Sequence, residues 1–348
     1  MLTIAPGIET PRCFSGAGRE HLATRHAAGL CDFSFMCCID VSGTDSRKFL
    51  QTLQTRAVDT LPRERIAYTL LLRNDGSVLI DATLWHLDKD HYWLFVGRRS
   101  DFAYIAQAAR DFDVILTDIS TQHAVIAVQG PASRGIIERA FSQTRIPALS
   151  YYGFARLDFA GTACWLARIG YSGEAGYEIV IANVAAPALW EALRATGENH
   201  GLLECGFDAT NTLRIEAGHI LFTRELATPV TPAELGLARL VDFYRPDVRG
   251  APALRAQRWH LPARRLVGLL PDGDAPVETV MPANVTPGNA VVTSVCRSPL
   301  FERDLALGFV HADDTYPGSI VRLASGIRAR VARLPFYDPA RWLPRRAP

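Results

Sequence analysis

The chain has 348 residues, with 37 Lys and Arg against 36 Asp and Glu, a formal net charge of +1. That balance excludes the basic footprint of a nucleic-acid binder, and 48% hydrophobic with 21% charged residues excludes a disordered chain. The length points to about two domains. No run reaches the ~18 apolar residues of a membrane helix, and the amino terminus lacks the basic start and apolar block of a secretory signal. A cytoplasmic location is therefore expected, with neither nucleic acid nor membrane as partner.

In chain order the first pattern is helical. GREHLATRHAAGL (18–30) places Leu22, Ala23, His26 and Ala27 near helical spacing, with Gly29 as the stop. MCCIDVSG (36–43) alternates and ends in a turn, as a strand does. Thr44 or Asp45 then caps a helix through SRKFLQTLQ, whose Phe49, Leu50 and Leu53 share one face. Over 66–96 the pattern is a β meander. Asn74-Asp75-Gly76 separates two alternating apolar runs, because Gly accepts the positive φ of a tight hairpin, and HYWLFVG is the next strand. Residues 101–112 form an amphipathic helix, DVILTDIS and HAVIAVQGP are strands, and Pro131-Ala132 opens a helix through IIERAF.

The second half repeats this grammar. RLDFAGTACWLARIG is a hairpin-like pair of strands and GYEIVIA another. ALWEALRATGENHG is a helix closed by Gly201, and NTLRIEAG a further helix. Hairpins with helices, rather than βαβ alternation, indicate an α+β class, and the halves loosely duplicate one another without a countable repeat. Near residue 245 Arg and Pro accumulate in YRPDVRGAPALRAQRWHLPARR, read as a connecting segment. Beyond it LVGLL, AVVTSV, LALGFV, SIVRLA and RARVARLPF are short strands between Gly and Pro turns, a small antiparallel barrel. The expected division is residues 1–245, α+β, and residues 246–348, all β. The seven cysteines form no C-x-x-C pair and no Cys/His cluster of zinc spacing, so they read as reduced core thiols and no metal is expected.

Common catalytic motifs are missing: there is no G-x-x-x-x-G-K-[ST], G-x-S-x-G or H-E-x-x-H. GYSGEAGYE (170–178) has the glycines of a dinucleotide fingerprint but leads into an alternating apolar run instead of a helix. Two carboxylates stand out in apolar strands, Asp81 just after the hairpin and Glu178 between Tyr177 and Ile179. Buried charge is expensive without a partner, so the pattern alone favours solvent-facing positions for both.

Several segments, in order, carry a resemblance. REHLATRHAAGLCDFSFM presents Glu20, His21, Arg25, Gly29, Asp32 and Ser34. SGTDSRKFLQTL, YTLLLRNDGSVLIDATL, AVIAVQGP, GYSGEAGYEIVI, TNTLRIEAG, TPAELGL, TSVCRSP and LPFYDP follow. Over roughly 18–340 this series resembles the glycine cleavage T-protein family, the folate-dependent aminomethyltransferases and their relatives. The resemblance implies a T-protein-like fold, two α+β subdomains plus a carboxy-terminal antiparallel β-barrel around a central cavity for tetrahydrofolate. It implies that Asp81 is the essential acid near the folate N5, that Glu178 bonds the pterin, and that Tyr171 lies in the pterin-pocket loop. The chemistry is coherent: a carboxylate accepts paired N–H donors from one pterin edge, and an acid near N5 steers protonation as that nitrogen attacks a one-carbon unit.

The departures from the family pattern gather on the donor side. Phe35 replaces His of D-x-S-H-M; Gly97, followed by Arg98 and Arg99, aligns with a folate-contacting Asn; Thr210 in DATN replaces Arg of G-A-R-D; Phe222 and Thr223 replace Tyr and Gly of L-Y-G. The amino-terminal F-x-G-W-x-x-P stretch is reduced to RCFSG. The expected member is thus a divergent methyltransferase or demethylase-like enzyme, moving a methyl, aminomethyl or methylene group from a small donor to tetrahydrofolate, and not the glycine cleavage enzyme itself. Gly97, Arg98 and Arg214 are expected on the folate, and Phe35 and His219 on the donor. Arg98, Arg99, Arg214 and Arg224 are candidates for contacts to the folate glutamate tail or an acidic substrate. A neutral His219 can orient a donor or move a proton. A carrier protein or a flavoprotein is the partner to consider, for a monomer or homodimer. Two alternatives stand beside this reading. One is a non-catalytic folate-binding protein, although the K-G-C-Y-x-G-Q-E segment of that branch is missing. The other is a folate-binding partner of an oxidative amine demethylase, with its flavin on a separate chain.

Overall fold

The computed structural model describes residues 1–5, 8–245, 247–257, 261–273 and 275–346. The chain opens with a hairpin, β1 (Leu2–Ala5) and β2 (Ile8–Thr10), then helix α1 (Ala17–His26) and strand β3 (Ala28–Asp32). A first unit runs β4 (Cys37–Ser42), α2 (Ser46–Leu53), β5 (Arg65–Leu72), β6 (Val78–Asp88), β7 (His91–Val96), α3 (Asp101–Ala108) and β8 (Ile115–Asp118). A second runs β9 (His123–Gln129), α4 (Ser133–Ala140), β10 (Phe154–Phe159), β11 (Thr162–Ala167), β12 (Gly176–Ala182), α5 (Ala186–Glu198) and β13 (Leu202–Cys205). Helices α6 (Phe207–Glu216) and α7 (Ala251–Gln257) lead to β14 (Arg264–Pro271), β15 (Ala290–Ser298), β16 (Arg303–His311), β17 (Ile320–Arg322) and β18 (Arg328–Ala332).

The two units share one connectivity. Strand order is β5-β6-β7-β4-β8 in the first sheet and β10-β11-β12-β9-β3-β13 in the second, so β3 is inserted where the first sheet has none. The duplication is in the topology, as the sequence grammar suggested. The third sheet, β15-β16-β14-β18-β17, is antiparallel, and an Asn289–Arg322 bridge brings its two edge strands together into a barrel.

Two local expectations change. The first helix ends at His26, because residues 28–32 are drawn into the sheet by pairing with β9 and, in parallel, with β13. Tertiary pairing outweighs local helical spacing here. The connecting segment near 245 contains α7. Its residues 258–260, and Pro246 at the proposed division between 245 and 246, lie outside the described residues.

Alternation along the strands sorts the core. On β7, Tyr92, Leu94 and Val96 pack toward α2 and α3 in one cluster, while Trp93 and Phe95 face the other sheet. On β12, Tyr177, Ile179 and Ile181 belong to the cluster that includes α4 and α5, and Val180 faces the first sheet. The two sheets therefore meet through an aromatic layer of Trp85, Trp93, Phe95 and Phe154, with Trp85 and Phe154 ring centroids 5.1 Å apart. The period of two puts Asp81 on the face of Trp85 and Glu178 on the face of Val180. Both carboxylates thus point into the space between the sheets.

A buried ionic node ties these layers to the barrel. Arg25 on α1 donates to Glu216 on α6 at 2.6 and 3.1 Å and to Glu174 at 2.9 Å, and it lies 3.8 Å over the Tyr337 ring. His21 meets the other Glu216 oxygen at 2.8 Å, where Ser298 of the barrel also donates. Burial opposes ionisation of Glu216, but His21 and Arg25 outweigh it and hold the carboxyl below its ordinary value. Glu20 closes the same junction by accepting the Phe14, Ser15 and Gly16 amides on one oxygen and the Gly206 amide on the other. Arg25→Met leaves two buried carboxylates without their cation, so urea unfolding should show a loss of about 3–5 kcal/mol. A loss under about 1 kcal/mol would remove the node from its place in the fold.

Candidate active site

Between the two sheets, the barrel and the carboxy-terminal segment lies a cavity of about 1040 Å³. That is at the upper end of ligand pockets, which run to about 1,000 Å³. Asp81 enters it from β6 and accepts a hydrogen bond from the Tyr68 hydroxyl at 2.9 Å. Burial raises the Asp81 carboxyl above its ordinary value even though the Tyr68 bond and Arg98 favour ionisation. Glu178 enters from β12 and is 7% exposed. Burial alone pushes its carboxyl up to about 7, and among the described residues no side chain or amide bonds to it. An acid this buried with its oxygens still open is unusual in a settled core and is typical of a ligand contact.

The glycine-rich loop before β12 is shaped by Gln129. A Cβ at Gly170 or Gly176 would stand 1.9 or 2.5 Å from the Gln129 amide group, so the chain can wrap this buried side chain only without one. Gln129 donates to the Ile169 and Tyr177 carbonyls and accepts from Ser172. The fingerprint-like glycines therefore serve a side-chain clamp. The loop delivers Tyr171, whose hydroxyl donates to the Ile220 carbonyl and whose ring stacks on His219 at 5.6 Å. Burial, with Arg341, Arg214 and Arg25 nearby, lowers His219 to about 3 and keeps it neutral.

The cavity brings together Asp81, Glu178, Tyr171, His219, Phe35 and Gly97. It does not bring in Arg98 or Arg214. Arg98 turns to Asp101 and the Leu79 carbonyl. Arg214 is spent on Asn211, the His219 carbonyl, Glu225 and Ser294, joining α6 to the barrel. Arg224 is exposed, and its side chain donates to Thr279. The arginines that do line the cavity include Arg239, Arg341 and Arg345, which the sequence reading passed over. For Arg341 and Arg345 the sequence signal is the Arg and Pro content of DPARWLPRR, which has no period.

Residues 2–245 match the GCVT N-terminal domain and residues 264–338 the glycine cleavage T-protein C-terminal barrel domain. The chain belongs to the glycine cleavage T-protein family. It is 33% identical to an aminomethyltransferase of Moorella thermoacetica, over 94% of this chain and 91% of the relative. It is 34% identical to an aminomethyltransferase of Streptomyces avermitilis, over 97% and 93%. The crystal structure of the glycine cleavage system aminomethyltransferase T from Bartonella henselae superposes with a TM-score of 0.85 at 26% identity, covering 97% of this chain and 94% of that one.

Within this T-protein fold, two positions that depart from the family pattern, Gly97 and Phe222, are neighbours. A Cβ on Gly97 would stand 2.4 Å from Cδ1 of Phe222, so the Phe222 ring occupies the space a side chain at 97 would need. Thr210 is buried, lines the cavity and donates to the Gly206 carbonyl at 3.1 Å. Phe35 packs edge-on against Phe33 at 6.0 Å. Gly97→Asn alone should therefore destabilise by about 1–3 kcal/mol through overpacking. Adding Phe222→Ala should recover much of that loss relative to Phe222→Ala alone, a coupling measured by a double-mutant cycle in urea. Additive losses would mean that the two positions do not compete for one space.

Proposed function

We propose that this chain is a tetrahydrofolate-dependent one-carbon transferase that takes a methyl, or an aminomethyl or methylene, group from a small donor. The observation that carries the reading is Glu178, a buried carboxyl facing the cavity with no protein partner and a pKa raised to about 7. A reduced pterin offers adjacent N–H donors that such a carboxylate accepts as a pair. The residues present fit the group: an open buried acid, an apolar cavity of sufficient volume, and the flat ring of Tyr171 beside it. When bound, tetrahydrofolate supplies the nucleophilic N5 that receives the carbon.

The chain's own residues do the rest. Glu178 binds and orients the ring. Asp81, held by Tyr68 and raised by burial, is a proton-exchanging acid in the same cavity. Phe35, Phe222 and Phe95 exclude water from the donor side. Neutral His219 is available as an acceptor or donor of one hydrogen bond, not as a cationic acid. The apolar donor side favours methyl transfer over a charged aminomethyl unit.

The raised Glu178 carboxyl fixes the sign of a pH effect. The folded chain holds its proton more tightly than the unfolded chain, so this contribution to stability is full below about pH 4.5 and is lost as pH rises through about 7. Glu178→Gln should flatten that part of the stability profile. Folate binding should release a proton near pH 7, visible as a dependence of calorimetric enthalpy on buffer ionisation heat. Glu178→Ala should weaken tetrahydrofolate by about 1.5–3 kcal/mol, and unchanged affinity would defeat the pterin role. Asp81→Asn should reduce turnover far more than folate affinity. Incubation with tetrahydrofolate and a panel of methylated donors, read by mass spectrometry, tests the reaction. A 5-methyl product supports demethylation, a 5,10-methylene product aminomethyl or formaldehyde chemistry, and tight binding with no new folate defeats the transferase reading.

A further inference from the structure

Between Ala167, the end of β11, and Gly176, the start of β12, the chain leaves the second sheet and forms part of the cavity wall. Ile169, Gly170, Tyr171 and Gly173 of this loop line the cavity, and so does Glu178 just inside β12. The main chain of the loop is anchored largely by side chains. The Ile169 carbonyl accepts from Gln129 at 3.2 Å and the Ser172 carbonyl from Arg25 at 3.0 Å, while the Glu174 amide donates to the Ser172 hydroxyl at 3.2 Å. The Gly130 amide adds a main-chain bond to the Ala175 carbonyl at 2.7 Å. A segment outside the ladder takes its position from the groups that hold it.

Gln129 is the group that joins the two ends of this loop. It closes β9, is 1% exposed and stands outside the cavity lining. The register pairs Gln129 with Gly176 and Ala127 with Glu178, so Gln129 and Glu178 lie on one face of the sheet, as neighbours along that face. The amide nitrogen of Gln129 donates to the Ile169 carbonyl before the loop and to the Tyr177 carbonyl after it, at 3.2 and 3.4 Å. Its oxygen accepts from the Ser172 hydroxyl in between, at 2.8 Å. The Tyr177 carbonyl belongs to the peptide group that carries the Glu178 nitrogen. Two donors and an acceptor on one planar head are what a primary amide supplies. An ionised glutamate lacks the donors, and asparagine is one methylene short of the same partners.

We propose that Gln129 is a positioning residue for the ring end of the ligand: it fixes the separation of Tyr171 and Glu178 and so presents the Glu178 carboxyl to the paired N–H donors. This rests on the folate reading and deepens it. Gln129 stands behind the cavity wall and acts through the loop and through the first residues of β12. The bare glycines at 170 and 176 are the room that its head needs. A paired contact is sensitive to such support, because both N–H donors must meet one carboxylate in line, and a displacement of about 1 Å spoils both bonds at once.

The test is a binding cycle on the full chain, by anaerobic calorimetry with tetrahydrofolate, at a temperature where circular dichroism shows each variant folded. Gln129→Met keeps the length of the side chain and removes its bonds to Ile169, Tyr177 and Ser172. It should weaken tetrahydrofolate about tenfold. In a Glu178→Ala background the same substitution should cost less than about twofold, because the group it positions is already gone. Titration near pH 7 in two buffers of different ionisation heat gives a second readout. Gln129→Met should release fewer protons per folate bound than the unaltered chain, whereas a change that only lowers stability leaves that count as it is. Ser172→Ala, which removes the bond to the Gln129 oxygen, should show the same pattern at about threefold, and it keeps the inference testable if Gln129→Met folds poorly. Unchanged affinity, an unchanged proton count, or a loss that persists in full without Glu178 overturns the positioning role and leaves the folate reading intact. Failure of the unaltered chain to bind tetrahydrofolate overturns the folate reading and the positioning role together.

Discussion

The pairing of Arg25 with Glu216 is the constraint on which the arrangement depends. The three main sheets share no strand, so no continuous ladder of backbone hydrogen bonds sets them relative to one another. Backbone ties between them are local, as where Arg65 bridges Gly153 and the Ile66 amide meets the Tyr152 carbonyl, and side chains supply the rest of the alignment. Each donor of the buried Arg25 guanidinium needs a partner in a fixed direction, and here those partners come from α6, the Glu174 loop and the Ser172 and Leu213 carbonyls. Glu174 lies four residues before Glu178, so the contact that fixes the fold also fixes the start of the strand that carries Glu178 into the cavity. Ser298 and Tyr337 bring the barrel to the same point, since Tyr337 donates its amide to the Glu216 carbonyl and stacks on Arg25.

The node also explains how polar residues can surround the cavity without filling it. Arg25 and Arg214 have their carboxylates inside the protein, Glu216 with Glu174 and Glu225 respectively. Each of these ion pairs is almost wholly buried and saturated with further hydrogen bonds, so none has capacity left for a ligand. Asp81 and Glu178 differ in that respect. Asp81 has a single hydroxyl partner and Glu178 none, and burial raises both carboxyls. Both of these incompletely paired carboxyls line the cavity.

Much of the fold was legible in the sequence because the strands alternate cleanly and the turns carry Gly, Asn and Pro. The hairpin at Asn74-Asp75-Gly76 joins β5 and β6, and the short apolar runs after residue 263 are the barrel strands. Strands β3 and β13 were not legible. They pair with one another in parallel across the whole intervening chain from residue 33 to residue 201, and β3 follows α1 with one residue between, so local spacing reads AAGL as helix. Within the site, Asp81 and Glu178 are ordinary strand acids by pattern, and their importance came from the collinear motifs around them. A sequence shows a charge but not its internal partner, so the ion pairs that engage Arg98 and Arg214 outside the cavity lining are not legible in it. Arg341 and Arg345 were missed for a different reason: their segment is irregular, and Arg168, which donates to the Pro344 and Arg346 carbonyls, gives it a fixed place.

The same accounting bears on whether the altered donor side is decayed or adapted. A decaying site loses one member of a polar pair and leaves the other stranded, which is costly in a buried setting. Among the described residues, the side-chain atoms wholly enclosed by protein and without a partner belong to His21, Ser46, His86, Tyr92, Arg134 and Arg245, none of which lines the cavity, whereas Glu178 lines it with its oxygens open. Where the family pattern has Arg, Thr210 turns its hydroxyl back to its own helix. Where it has Asn, Gly97 leaves a space that the Phe222 ring fills. Each lost polar group has thus been removed together with the need for a partner. That pattern supports the proposed reading of a transferase with a changed donor over that of a folate-binding relic.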